Sequence, residues 1–465
     1  MNYINTNHQK IYTGSMTIKK IDCYFMFDGS ILEITILNRK NIKNLDDFIK
    51  LENDILTGKC NESGEELKFL VENPYIIDSF TYVIKYDVQF YIICSHHENY
   101  LSKMTFKSVE LDCIYPANQA IEYLVEKDKL FNQGIFQIKN NGFNEHKLIK
   151  NDFYIEDKKI SVSFCVVPKL NMSPLKPPIT LQSCMEFTFE NVDDYIFIYK
   201  LFILAKKFIQ FLCYRRNVSF SDVILSTFEE NKYIQFANAY LIDNECDENL
   251  KILKDRRYIR QSYIDGIEGK ILSDIYNGNL YMRHFPKSHK SGAVMRPENF
   301  VMITAAFEWE FKRLFPEGIA KEKASLDLDN QVKNNIKKLF DSSSGKLKKR
   351  YGRILKSLDY DSTLQSKVIH AGKELDSIIH CFGVYLYKLN DTCLDYKEMG
   401  KRIADQRNHY AHGDLNEKFI GTSLLDLIYL ERIIYVMQLK VYGLNDSSIK
   451  HAINDLFGFN IRFED

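Results

Sequence analysis

The hydrophobic pattern of the chain changes once, near residue 192, and this change constrains the fold more than any other feature. Before it, apolar residues alternate with polar ones or form short β-branched and aromatic runs, as at 31–37 and 82–88, which is typical of strands. From Pro297 onward, apolar residues recur at steps of three and four, which is typical of helices. The separation of the two patterns predicts an α+β multidomain protein.

The length of 465 residues exceeds what one ordinary hydrophobic core supports, so we expect several domains. An apolar segment at 195–214 follows Asp193 and Asp194, and either of these can cap a helix there. A loop at 283–297 combines proline, glycine and basic residues, as domain boundaries often do. The predicted regions are a sandwich-like, β-rich N-terminal sensing or regulatory domain (1–190), a mixed, mostly helical connecting region (191–296) and an all-α C-terminal bundle (297–465).

Composition excludes two broad classes of protein. The 62 Lys and Arg residues balance the 62 Asp and Glu residues, so binding to nucleic acid would have to come from a local patch and not from net charge. Hydrophobic residues at 45% and charged residues at 27% exclude a mainly disordered chain.

Cysteine usage and the apolar segments indicate the compartment. The ten cysteines are scattered without a C-x-x-C pair, which is typical of free thiols in a reducing environment. The N-terminal residues are polar and lack the apolar stretch of a signal peptide. Lys200, Lys206 and Lys207 interrupt the apolar segment at 195–214, which favours a buried helix over a membrane span. We therefore expect a cytoplasmic protein without a membrane partner.

One helical segment near the C-terminus carries residues suited to chemistry. Asn408 and His412 are four residues apart and share a helix face, opposite to a core stripe of apolar residues. Arg407 lies at the margin of that stripe, where a long stem can follow apolar surface and send its head outward. Gly413 is placed to end the helix, and a helix C-terminus favours the cationic form of a histidine. The core stripe is Met399, Ile403 and Tyr410.

Arginine and histidine at this spacing also occur by chance. Asn408 and Gly413 single out the pair of Arg407 with His412, whereas its overlapping alternative, Arg402 with His409, stays open. A histidine that caps helix carbonyls beside an arginine in a surface ion pair would give the same pattern. Three arginine–histidine pairs in the chain have four to six residues between them: Arg407 with His412, Arg402 with His409 and Arg283 with His289.

The segment 402–413 and the helical pattern around it resemble the HEPN superfamily of metal-independent ribonucleases. The order of a β-rich first part, an apolar helix and a helical C-terminal part resembles the ApeA-like anti-phage HEPN proteins. The likeness is sharp over 400–415 and is one of architecture elsewhere.

The resemblance implies an endoribonuclease of an abortive-infection defence system, without cofactor or metal. Two copies of the bundle, in a homodimer or a higher homo-oligomer, would line one cleft in which an RNA 2′-hydroxyl attacks the adjacent phosphorus. His412 would act as general base or acid, Arg407 would stabilise phosphate charge, and Asn408 would orient one of the reacting groups. The products would be a 2′,3′-cyclic phosphate and a 5′-hydroxyl. A phage-derived trigger is implied, and transfer RNA is a suitable substrate because its anticodon loop offers unstacked bases.

A basic segment could hold the RNA. Residues 333–356 contain nine basic residues and one acidic residue, Asp341, although a solvated helix face would look the same. Glu308 is a candidate tether for Arg407, with plain exposure as its alternative. The predicted RNA-binding residues are Lys346, Lys348, Lys349, Arg350 and Arg353.

A different function and a zinc site are the two alternatives to weigh. The bundle could be a non-catalytic HEPN dimerisation or binding module, with the β-rich domain binding a ligand. Cys94, His96, His97 and Cys113 could suggest zinc, but their spacing matches no standard zinc pattern, so we expect no metal site.

Overall fold

Twelve of the fourteen strands in the described part of the chain lie before residue 193, as the change of pattern near residue 192 predicts, and two more lie between 222 and 241. The computed structural model describes residues 11–37, 51, 54–78, 82–96, 98, 100–124, 137–140, 151–175, 177–243, 253, 257–319, 323–358, 363–413 and 419–463. The strands are β1 (Tyr12–Ile18), β2 (Ile21–Phe27), β3 (Ile31–Ile36), β4 (Ile55–Cys60), β5 (Glu66–Asp78), β6 (Val83–Cys94), β7 (Leu101–Lys107), β8 (Ile121–Leu124), β9 (Gln137–Asn140), β10 (Asn151–Ile155), β11 (Lys158–Leu170), β12 (Ile179–Val192), β13 (Asp222–Glu229) and β14 (Lys232–Leu241).

Helices dominate the second half of the described chain. They are α1 (Val109–Ile114), α2 (Tyr195–Cys213), α3 (Glu268–Tyr276), α4 (His289–Gly292), α5 (Pro297–Leu314), α6 (Lys323–Ser342), α7 (Gly345–Leu358), α8 (Leu364–Glu374), α9 (Asp376–Lys388), α10 (Tyr396–Ala411), α11 (Ser423–Val441) and α12 (Asp446–Phe457). Two units follow from the contacts within the chain, unit 1 (1–277) and unit 2 (278–465), and each is described by itself. None of the helices in the described ranges is both long and apolar enough to cross a bilayer.

Unit 1 is built on one antiparallel sheet of twelve strands, part of which closes on itself. The order β6-β3-β2-β1-β4-β5 returns to β6, because β5 pairs with β6 as well as with β4. The interior of this six-stranded barrel is apolar, and the rings of Phe27 and Phe69 meet edge to face with centroids 5.0 Å apart. A Cβ atom at Gly58 would lie 2.6 Å from the ring of Phe25, so the close packing of this ring requires a glycine.

The remaining strands continue from β6 as an open sheet in the order β14-β13-β7-β12-β11-β10. Helix α2, capped by Asp194 as predicted, packs on this part, and Phe202 meets Phe90 of β6 with ring centroids 5.6 Å apart. The sequence predicts a sandwich, whereas the sheet is continuous and closes locally into a barrel. Strands β13 and β14 belong to this sheet although they fall in the predicted connecting region; the expected three-region division stays a prediction.

The described part of unit 2 contains helices and no strand, as the apolar spacing from Pro297 onward predicts. Phe300, Ile303, Phe307 and Phe311 form the buried side of α5, as their spacing of three and four residues predicts. Helix α5 packs against α10 and α11, and α10 also packs against α8. The apolar spacing over 363–389 predicts one helix, whereas the structure has two, α8 and α9, with the junction at Leu375.

Candidate functional site

Helix α10 carries the residues of the predicted motif, and its position follows from its own sequence. Asp395 caps the helix, since its side chain accepts hydrogen bonds from the backbone N–H groups of Lys397 and Glu398. The predicted core stripe of Met399, Ile403 and Tyr410 is buried. Because one side of α10 is held by this stripe, the orientation of the remaining positions is fixed.

The helix ends at the predicted place. Gly413 has φ +98°, which is the left-handed conformation that a residue beyond a helix C-terminus adopts and that favours glycine. His412 is the cap residue, and its backbone N–H donates to the carbonyl oxygens of Asn408 and His409 at 3.1 Å and 3.2 Å. The imidazole of His412 is exposed at this helix end.

Arg407 and Asn408 lie together just before that end. The Arg407 guanidinium donates a hydrogen bond of 3.4 Å to Oδ1 of Asn408, so the arginine head turns toward the face of the asparagine. Asn408 is exposed and Arg407 is half-buried. A half-buried guanidinium with an exposed amide and an exposed imidazole on one helix end can bind a phosphate and move a proton.

An aromatic cluster supports the end of α10 from below. The ring of Tyr410 meets Phe300 of α5 at 5.7 Å and Phe419 at 6.0 Å between centroids. Phe419 lies just before α11, so the cluster joins three parts of unit 2 beneath the exposed residues. Aromatic packing of this kind restricts the last turn of α10.

Gln406 is a buried structural residue that the sequence pattern does not single out. Its side chain is fully buried, and its Oε1 accepts hydrogen bonds from the backbone N–H of Ile420 at 2.8 Å and from Oγ of Ser423 at 3.2 Å. Gln406 stands three residues after Ile403 and four before Tyr410, so the core spacing does contain it. A polar residue at a core position of the helix is the sequence signal that could have indicated a buried hydrogen-bonding role for Gln406.

Arg402, the arginine of the alternative pair, has another partner. Its guanidinium binds the fully buried carboxylate of Asp426 through two hydrogen bonds, at 2.6 Å and 2.9 Å. The Tyr387 hydroxyl donates to the same carboxylate. These hydrogen bonds raise the pKa of Arg402. Arg402 therefore anchors α10 on α11, whereas His409 is exposed at the end of α10.

Glu308 and Glu310 of α5 serve different purposes. Glu308 accepts a hydrogen bond from Nζ of Lys367 at 3.2 Å, so this contact, and not one with Arg407, occupies it. Glu310 is fully buried and accepts from the backbone N–H of Tyr281 at 2.8 Å and from Arg313 at 2.6 Å. Burial raises the pKa of Glu310. Both contacts belong to the framework of unit 2.

The predicted RNA-binding residues form part of a helical hairpin, α6 and α7. The two helices pack mainly against each other. All their side chains between Asp327 and Leu355 are exposed or half-buried. The Lys356 side chain lies outside the described residues. The exposed cations of this hairpin are Lys333, Lys337, Lys338, Lys346, Lys348, Lys349, Arg350 and Arg353.

Of the described cysteines in unit 1, Cys113 is half-buried and the others are buried, and all are free thiols. Burial raises the pKa of Cys94 to about 11 and that of Cys113 to about 11, so neither side chain is inclined to the thiolate form. Within the described ranges, which leave out His97, no group of three or more His, Cys, Asp or Glu side chains is arranged to hold a metal ion.

Comparison with the models of known protein families, with curated proteins and with solved structures finds no match to this chain.

Proposed function

We propose that the chain is a metal-independent endoribonuclease whose catalytic residues are Arg407, Asn408 and His412. The observation that carries the proposal is the end of α10, where these three residues reach solvent while Gln406 and Tyr410 beside them are buried. A helix end that is rigid underneath and exposed above suits a reaction that depends on positioning.

In the proposed reaction an RNA 2′-oxygen forms a bond to the adjacent phosphorus as the bond to the 5′-oxygen breaks. A base takes the proton of the 2′-hydroxyl, and an acid gives a proton to the leaving 5′-oxygen, so no water is consumed. His412 fills one of these roles. Arg407 stabilises the charge on the phosphate oxygens, and its hydrogen bond to Asn408 directs the guanidinium toward the face shared with His412.

A second copy of unit 2 would supply the second set of residues. Each copy contributes one proposed catalytic imidazole, that of His412, because His409 is expected to be dispensable, whereas the reaction needs a base and an acid. We infer that two copies present their α10 ends to one cleft, as HEPN proteins are expected to do. The basic hairpin of α6 and α7 would hold the RNA backbone, and an exposed cation patch of this kind binds phosphate without reading sequence.

We assign the activity to anti-phage defence, because uncontrolled RNA cleavage would harm the cell and requires gating. Unit 1, with its barrel and open sheet, is the part available to sense a phage-derived trigger. The anticodon loop of transfer RNA offers the unpaired bases that such a site can reach.

Expression in bacteria tests the proposal. Wild-type chain should arrest growth during phage infection and leave RNA fragments, and the His412→Ala variant should do neither. His409→Ala is the matched control, since His409 is also exposed at the end of α10 and should be dispensable. Equal behaviour of wild type and His412→Ala would favour the alternative, a non-catalytic binding module. Loss of the effect in His409→Ala alone would assign the site to the other histidine.

A further inference from the structure

The hairpin of α6 and α7 leaves large aliphatic side chains in solvent. Leu328, Val332 and Leu339 on α6 and Leu347 and Ile354 on α7 are between 41% and 63% exposed. Single exposed apolar residues are ordinary on protein surfaces, but a periodic set on neighbouring helices indicates an interaction surface. These five residues are called the aliphatic stripe.

The members of the aliphatic stripe share one face on each helix. Val332 and Leu339 stand four and eleven residues after Leu328, which places all three within about 40° of each other around the helix axis. Ile354 stands seven residues after Leu347, about 20° away around α7. Each helix therefore carries a line of aliphatic side chains.

The contact between the two helices shows where these lines point. The ring of Phe340 faces α7 at Gly352, where a Cβ atom would lie 3.1 Å from that ring, and Nζ of Lys348 lies 4.9 Å from its centroid. On each helix the aliphatic line lies roughly 100–140° around the helix axis from the residues of this contact. The rotation has the same sense on both helices when each is viewed from its N-terminus. Because the helices are antiparallel, equal rotations bring both lines to one side of the hairpin.

Two packed helices cannot bury such a side alone, and a third helix would cover it. Near the loop that joins the two helices, the outer edges of the aliphatic stripe are basic, since Lys338 on α6 and Lys346 and Arg350 on α7 lie beside it by helix phase. Asp327 shares the edge of Lys338 but lies about three turns away, at the other end of the stripe. A second copy of the hairpin would bring like charges together at these edges. Acidic residues on the covering helix would instead pair with them.

We propose that the aliphatic stripe binds an amphipathic helix of another protein, whose apolar face is flanked by Asp and Glu. The proposal does not depend on ribonuclease activity. It leaves Lys349, on the opposite face of α7, available for the RNA contact proposed above, because this residue points away from the stripe by helix phase.

Binding of a designed peptide to the full chain tests this proposal. The probe is a fluorescent peptide of roughly 18 residues, a length that spans the stripe, with a leucine face flanked by Glu; the control peptide has Lys in place of Glu. Fluorescence anisotropy should show binding of the Glu peptide and much weaker binding of the Lys peptide. The L339S/L347S variant should lose at least about tenfold in affinity, since it removes two apolar contacts. Both side chains are about half exposed, so the fold should persist, which circular dichroism checks.

A charge-reversed variant gives an independent measurement. K338E/R350E should bind the Lys peptide in preference to the Glu peptide while it keeps the aliphatic stripe. The proposal is overturned if the Glu peptide fails to bind, or binds L339S/L347S equally well. It is also overturned if L339S/L347S abolishes self-association in sedimentation, which would assign the stripe to a second copy. Loss of binding to phosphatidylglycerol vesicles in L339S/L347S would assign the aliphatic stripe to a membrane surface and would also overturn the proposal. RNA cleavage that continues in L339S/L347S separates this result from the ribonuclease proposal.

Discussion

At the residue scale, the proposed catalytic side chains depend on neighbours that face inward. Gln406 and Tyr410 are buried on either side of Arg407, Asn408 and His409, so the rotation of α10 leaves the polar residues outward. Gln406 also fixes the chain that returns after the helix, through the backbone N–H of Ile420. A buried amide that holds two donors is worth about 1–3 kcal/mol when its loss would leave them without a partner.

His284 gives a prediction about pH. It is fully buried in unit 2 beside Tyr281 and Phe285, and burial lowers its pKa to about 3. In the unfolded chain the same imidazole takes up a proton near pH 6.5. Below that pH the unfolded state binds more protons than the folded state, so the free energy of unfolding should fall by about 1.4 kcal/mol per pH unit down to about pH 3. Above pH 6.5 the contribution of His284 should be constant.

The fluorescence of Trp309 can follow this dependence, because Trp309 is the one tryptophan of the chain and lies in unit 2. Urea unfolding should show a steeper loss of stability between pH 6.5 and pH 4.5 in the wild type than in His284→Gln. His380→Gln, which changes an exposed histidine, should keep the wild-type slope. Equal slopes in the wild type and His284→Gln would show that His284 does not stay neutral when buried.

At the element scale, α10 and α11 are joined by the ion pair of Arg402 with Asp426. The carboxylate is fully buried and also accepts from Tyr387, so removal of the arginine would leave a buried charge with one remaining hydrogen bond. Arg402→Met should therefore reduce the free energy of unfolding by about 3–5 kcal/mol. The double variant Arg402→Met/Asp426→Leu should recover part of this loss, because both charges are then absent.

Denaturant unfolding followed by Trp309 fluorescence measures these changes, with Arg353→Met on the exposed hairpin as control, expected within about 0.5 kcal/mol of the wild type. A loss below about 1 kcal/mol for Arg402→Met would mean that the pair is not an anchor. RNA cleavage lost in folded Arg402→Met and in His409→Ala, but kept in His412→Ala, would restore the alternative pair.

The elements show what the sequence can predict and where it fails. Helix α10 and its end at Gly413 were predictable, because apolar spacing and a terminal glycine are local signals. The break at Leu375 was not, since the apolar pattern continues through it. The buried role of Gln406 was missed because a glutamine in the core stripe resembles a surface residue. Barrel closure was missed because the pairing of β5 with both β4 and β6 is non-local.

At the scale of the whole molecule, a neutral chain carries a strongly uneven charge. Lys and Arg balance Asp and Glu overall, yet nine basic residues and one acidic residue occur over 333–356. The hairpin that contains them is exposed, whereas Gln406 and Asp426, which hold α10 in place, are buried. Buried residues hold the proposed site in place and exposed residues meet its partners, so charge at the hairpin should affect RNA affinity more than stability.

Cleavage of transfer RNA by the purified full-length chain in the presence of a metal chelator tests the central claim most directly. The account predicts fragments that end in a 2′,3′-cyclic phosphate, with rates reduced about a hundredfold or more in Arg407→Ala and in His412→Ala and nearly unchanged in His409→Ala. Intact RNA with the wild type, loss of wild-type cleavage on chelation, or equal rates in wild type and His412→Ala would contradict it.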